Sequence, residues 1–165
     1  MKIVTGSFDN RANAERAIDE LLDRGFMRDD ISLVMSDRTR DTLFTKEETT
    51  GDKAAKGGIT GAAATGAAGA LLAGLSAVGS IVIPGAGLLA VGPLVAALTG
   101  AGAGAAVGGL TGALLAAGFA EDDAKLSEDE IRRGRAVVVV HSPDAQSSVA
   151  RSVLRDSGAE MTKAA

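Results

Sequence analysis

Between Lys56 and Glu121 the chain carries no charged residue, whereas both flanks carry acids and bases at the density of an ordinary soluble protein. Charges have to face water, so the flanks must form surface while the middle has no such obligation. Within the middle, glycine recurs with a period. Gly100, Gly104, Gly108, Gly112 and then Ala116 stand four apart; Gly57, Gly61, Thr65, Gly69 and Ala73 form a second row beside Gly58, Ala62, Gly66, Ala70 and Gly74. Residues four apart share one helix face, so each row makes a flat groove that a second backbone can approach closely. Each interior glycine sacrifices about 1 kcal/mol of helix propensity, which close packing has to offset. A flexible linker would favour serine and polar residues and show no period. Gly57, Gly61, Gly66, Gly69, Gly74, Gly100, Gly104, Gly108, Gly112 and Ala116 are therefore the candidate helix-packing and self-association residues.

Two prolines, Pro84 and Pro93, cannot sit in a helix interior, so the middle is expected to fold as a helical hairpin that turns between them. The segment Gly85–Ala90, GAGLLA, matches a dinucleotide-binding fingerprint in letters but not in setting. No acidic residue follows at the required distance, and Pro93 would break the helix that should come next. Each arm exceeds the roughly 20 residues needed to span a bilayer. The first arm, however, is poor in large aliphatics, and the chain has no Trp or Tyr to mark an interface. Association with a membrane and assembly in water both stay open.

The flanks read differently. KIVTGSF is a strand, Asp9 or Asn10 can cap a helix with Ala14, Ala17, Ile18, Leu21 and Leu22 on its apolar face, and Gly25 sits where a left-handed cap belongs, with Phe26 behind it. ISLVMS alternates as a half-buried strand. After the middle, SEDE (Ser127–Glu130) reads as a capping box opening a short helix that Gly134 closes, and AVVVV from Ala136 is a strand apolar on both faces. Ser142 and Pro143 read as an N-cap and first helical residue for a helix with Ala145, Val149, Ala150, Val153 and Leu154 inward; Gly158 ends it, and AEMTKAA is a short edge strand.

Two strand–helix–strand units result, and FDNRANAERAIDELLDRG is echoed by SPDAQSSVARSVLRDSG. The expected fold is α+β: a ferredoxin-like split βαβ antiparallel sheet with the glycine-rich hairpin inserted between strands 2 and 3. Residues 1–36 supply the first half of the sheet domain, 37–56 a charged linker, 57–119 the hairpin, 120–135 a charged linker with a short helix, and 136–165 the second half. The flanks are expected to fold together without the hairpin, and the doubly apolar strand to need a partner on the sheet's second face.

Chemistry is harder to find. The chain has no cysteine, which removes thiolate metal sites, cysteine nucleophiles and disulfides, and its net charge of −4 with four aromatic residues argues against a nucleic-acid surface. His141, the one histidine, has no visible partner and reads as a bystander rather than a general base. Glu121, Asp122 and Asp123 lack the spacing of a calcium loop and read, with Glu47 and Glu48, as solvated faces. Ser7 and Ser142 have no base beside them. No catalytic, cofactor-binding or metal-ligating residue is expected, and no small-molecule substrate is identified. MKIVTGSFDN contains no signal-peptide core, which points to the cytoplasm or the inner face of a membrane.

VTGSFDNRANAERAIDELLDRGFMRDDISLVMSD resembles the N-terminal domain of the general stress protein 17M-like family of bacteria, in which such a unit precedes a Gly/Ala-rich hydrophobic region and a second half like RRGRAVVVVHS. The resemblance implies a stress-associated protein and carries over no functional residues. Two functions remain: a non-enzymatic structural protein that self-associates through its glycine-zipper hairpin, membrane-associated or as a soluble homo-oligomer, or a ligand-binding regulatory module whose hairpin is only an anchor.

Overall fold

The computed structural model describes residues 2–40, 42, 80–83, 88–96 and 102–161. The chain runs β1 (Lys2–Phe8), α1 (Arg11–Asp23), β2 (Ile31–Ser36), β3 (Ser80–Ile83), β4 (Leu88–Val91), α2 (Gly102–Ala116), α3 (Glu121–Arg132), β5 (Ala136–Ser142), α4 (Ser147–Asp156) and β6 (Glu160–Met161). The strands form one sheet in the order β3-β4-β2-β5-β1-β6, and every neighbouring pair is antiparallel. The protein is a mixed α+β fold built on an antiparallel sheet.

β5 is central, as its double-sided apolar character requires. It pairs with β1 from Lys2↔Ser142 to Phe8↔Ala136 and with β2 from Ile31↔Val140 to Val34↔Val137. Strand alternation then sorts the side chains into two layers. Val4, Phe8, Ile31, Leu33, Met35, Ala136, Val138 and Val140 pack under α1 and α4, where Ala14, Ala17, Ile18, Leu21, Ala150, Val153 and Leu154 are buried. α1 starts where Asn10 accepts a hydrogen bond from the Asn13 amide at 2.8 Å. It stops at Gly25, at φ +90°, with the Phe26 amide reaching back to the Leu21 carbonyl and the Gly25 amide to that of Leu22. Those two bonds satisfy carbonyls that a helix end leaves open, and Phe26 is buried as the cap's hydrophobic contact.

The opposite face is covered by the chain's own middle. Val34, Val137 and Val139 pack with Leu88, Ala90, Leu94, Ala113, Leu114, Phe119, Ala124 and Ile131. The partner expected for the second face is therefore supplied by the insertion and by α3. Where it is described, the range 57–119 departs from the expected helical hairpin at a strand tip. Within that range Ser80–Ile83 and Leu88–Val91 are strands that extend the sheet beyond β2, pairing Leu33↔Val91 through Ser36↔Leu88. β-branched residues in SIVI favour a strand, and Leu88–Val91 finds the backbone groups of β2 unpaired on that side, so sheet extension prevails over helix. The glycine rows of the first arm, with Gly57, Gly61, Gly66, Gly69 and Gly74, lie outside the described residues, as does Gly100.

Gly104, Gly108, Gly112 and Ala116 lie on α2, which is two helical pieces rather than one. Gly109 separates them at φ +60°, ψ −149°, a conformation open to glycine and almost nothing else. The four-residue period thus crosses a break between Gly108 and Gly112. Two further boundaries differ from the sequence reading. α3 begins six residues before Ser127, at a first turn of Glu121, Asp122 and Asp123 that suits the positive end of a helix, so Ser127 and Glu130 are interior residues and make no capping box. Ser142 closes β5 instead of capping a helix; a 3-10 turn, Asp144–Gln146, intervenes before α4. Among the described residues no helix is long and apolar enough to cross a membrane.

Candidate functional site

The second layer is mostly apolar, with its polar side chains concentrated along β1 and α3 and single ones, Ser32 and His141, on β2 and β5. Ile3, Thr5 and Ser7 of β1 alternate with the first-layer residues Val4 and Phe8, and α3 buries Asp123, Ser127 and Glu130, residues one helical face apart, beside Ala124 and Ile131. Glu130 is 4% exposed. Its Oε2 accepts the Ser7 hydroxyl at 2.8 Å, and the Arg133 guanidinium donates to Oε1 at 2.9 Å. Arg135 donates to the same Oε2 that Ser7 reaches, and also to the Glu160 carboxylate of β6. One buried carboxylate therefore ties together α3, β1, the entry to β5 and, through Arg135, the edge strand.

Burial alone would push the Glu130 carboxyl up, but the Ser7 hydroxyl and the Arg135 and Arg133 guanidiniums outweigh it and hold the group below its usual range. A carboxylate so held is a weak base. It accepts the Ser7 hydrogen bond as a charged acceptor, which suits the cluster to clamping α3 onto β1.

A second carboxylate supports the break in α2. The Thr111 amide, freed because Gly109 leaves the helix, donates to Oε2 of Glu128 at 2.9 Å, and the Thr111 hydroxyl donates to the same oxygen. Glu128 thus caps, from α3, a helix start whose own cap position is a glycine with no side chain. Burial pushes this carboxyl up as well; the Thr111 hydroxyl, Arg132 and the Thr111 amide bring it below its usual range. Gly112 is half-buried and Ala116 exposed.

His141 stands opposite Ile3 in the register and is half-buried, with its Nδ1 buried and without a hydrogen-bond partner. Burial pushes the imidazole down, and the nearby Asp30 opposes that only in part. The shift favours the neutral ring. Because its folded pKa lies below the unfolded value of about 6.5, the unfolded chain binds the extra proton first as pH falls. Stability should decline with acid from about pH 6.5 downward. His141→Asn should flatten the denaturant midpoint against pH as the pH falls below about 6.5; an unchanged slope would mean that His141 does not titrate there.

Leu88–Ala90, the described end of GAGLLA, lies in the antiparallel strand β4 and not in the helix that a nucleotide-binding setting needs. Among the described residues no group of three or more acidic or histidine side chains could hold a metal ion. Sequence reasoning missed the Ser7–Glu130–Arg135 cluster. Its local signal was available, since Asp123, Ser127 and Glu130 share a face with Ala124 and Ile131, but the partner strand is more than a hundred residues away.

Residues 3–82 match the family model of the heat induced stress protein YflT domain. The match covers β1, α1, β2 and the chain up to β3, and it supports membership in a bacterial general stress protein family, as the opening motif implied. No curated protein and no solved structure matches the chain.

Proposed function

Taking the chain to be a bacterial stress protein with a heat induced stress protein domain over residues 3–82, we propose that it is a structural protein without turnover of its own, which self-associates through the small-residue helices of its insertion. The flank strands β6-β1-β5-β2 are read as a ferredoxin-like platform on which the insertion is mounted. One observation carries the reading. α2 packs against α3 and the sheet through Ala113 and Leu114, yet its other side brings Leu115, 41% exposed, and Ala116 to the surface, and Leu126 of α3 is 40% exposed. An apolar exterior on the second helical piece of α2, after the Gly109 break, is what a helix prepared to meet another backbone presents.

The test is Gly104→Leu with Gly108→Leu in the full chain. Leucine is the better helix former, so a local account predicts equal or greater stability. A packing role predicts the reverse: two isobutyl groups push the facing backbone away, and the assembly dissociates while circular dichroism shows helix kept or increased. Light scattering reads the size, and fractionation of native cells shows whether the assembly forms in solution or on a bilayer. Unchanged size and unchanged thermal midpoint would sink the proposal.

A further inference from the structure

The two edges of the sheet are guarded differently. β6 is two residues long and carries Glu160, which pairs with Arg135. Short, charged edge strands are a common means of keeping a sheet from pairing with another chain. β3 forms the other edge. It reads Ser80-Ile81-Val82-Ile83, three β-branched residues in four, inside the stretch from Lys56 to Glu121 that has no charge. Its inner side pairs with β4 from Ser80↔Val91 to Ile83↔Leu88, and among the described residues no strand lies on its outer side.

We propose that β3 is an interface between two copies of this chain, in which β3 of one copy pairs antiparallel with β3 of the other about a two-fold axis and the two sheets become one. The inference rests on the self-association reading and locates a contact for it. Antiparallel pairing about a two-fold is self-complementary, because each residue meets its symmetry mate or that of a near neighbour. Charge selects the occupant. Copies that each carry a net charge of −4 repel wherever their charged surfaces face, and a contact at β6 would bring Glu160 toward Glu160. The residues of β3 carry no charge that would repel a second copy or recognise a charged partner. The ladder offers only about four inter-strand bonds, so the contact is weak alone and depends on concentration.

The chain has no cysteine, so a single introduced thiol can form a disulfide only between copies. Full-length Ser80→Cys, Ile81→Cys, Val82→Cys and Ile83→Cys would be oxidised mildly, with Glu160→Cys as the control at the other edge. The expected result is a covalent dimer as the main product for at least one β3 variant and a monomer for the control. Hydrogen exchange of the unmodified protein gives a readout that needs no substitution: protection of the β3 amides should rise with protein concentration. An oligomer by light scattering, with no β3 cross-link and no concentration-dependent protection, would overturn this contact and leave self-association standing. A monomer at every concentration would overturn both. Full protection of β3 at high dilution without cross-linking would mean that the same chain covers the edge, which overturns the contact as well.

Discussion

Gly92→Ala is expected to lower the unfolding free energy by about 3 kcal/mol, from backbone strain and overpacking together. Gly92 ends β4 at φ +99°, where the insertion leaves the sheet and turns onto its second face. A Cβ there would lie 2.5 Å from the Ile31 carbonyl oxygen and 2.9 Å from the Ser32 Cα, both backbone atoms of a buried strand that cannot swing aside. Two residues on, the Leu94 amide donates to the Ser32 hydroxyl at 3.0 Å, so displacement would also cost that buried bond. Gly25→Ala is the control. Gly25 sits at φ +90° with nothing within 4 Å of its would-be Cβ, so only conformational strain remains, about 1 kcal/mol. Urea midpoints at unchanged slope would measure both. Equal losses would show that the approach of the insertion to β2 is soft, and that the second layer does not depend on it.

The contrast between these two glycines shows what the sequence discloses and what it does not. Gly25 is legible because its cause is local: a helix with a periodic apolar face ends there, and Phe26 waits to pack back. The same holds for the strand KIVTGSF, for Asn10, for Gly158, and for β5, whose run of valines could only be central. Gly92 is illegible because its cause is Ile31, which the chain reaches only by folding. The same non-local logic put SIVI and LLAV into the sheet. Their composition allowed either a strand or a buried helix, and the free side of β2 decided. α3 shows a third kind of difference. SEDE satisfies a capping pattern by its letters, but Ala124 and Ile131 have a sheet to cover, and burying them extends the helix through Ser127. The Gly109 break follows from tertiary structure as well, since no proline forces it and the cap that sustains it, Glu128, comes from another helix.

Glu130→Ala should destabilise the protein by about 3 kcal/mol, the cost of removing one member from a buried, hydrogen-bonded charge cluster. The loss is more than a missing attraction. Ser7 keeps a buried hydroxyl whose carboxylate acceptor is gone, and Arg135 loses its buried partner and is left with Glu160, whose side chain is mostly exposed. Arg133→Ala bounds the exposed share: its side chain is 65% exposed, so the change should cost at most about 1 kcal/mol. The pH dependence separates charge from packing. The folded Glu130 carboxyl is held below its ordinary range, so the unfolded chain takes up the proton first as pH falls. The stabilisation is therefore fully present above about pH 4.5 and is lost as pH drops through the folded value. Glu130→Gln keeps the shape and one acceptor but cannot titrate, so the stability difference between the native chain and this variant should shrink steadily with acid below pH 4.5. A difference that stays constant from pH 6 to pH 3 would mean that Glu130 holds α3 on β1 by its shape alone, with no contribution from its charge.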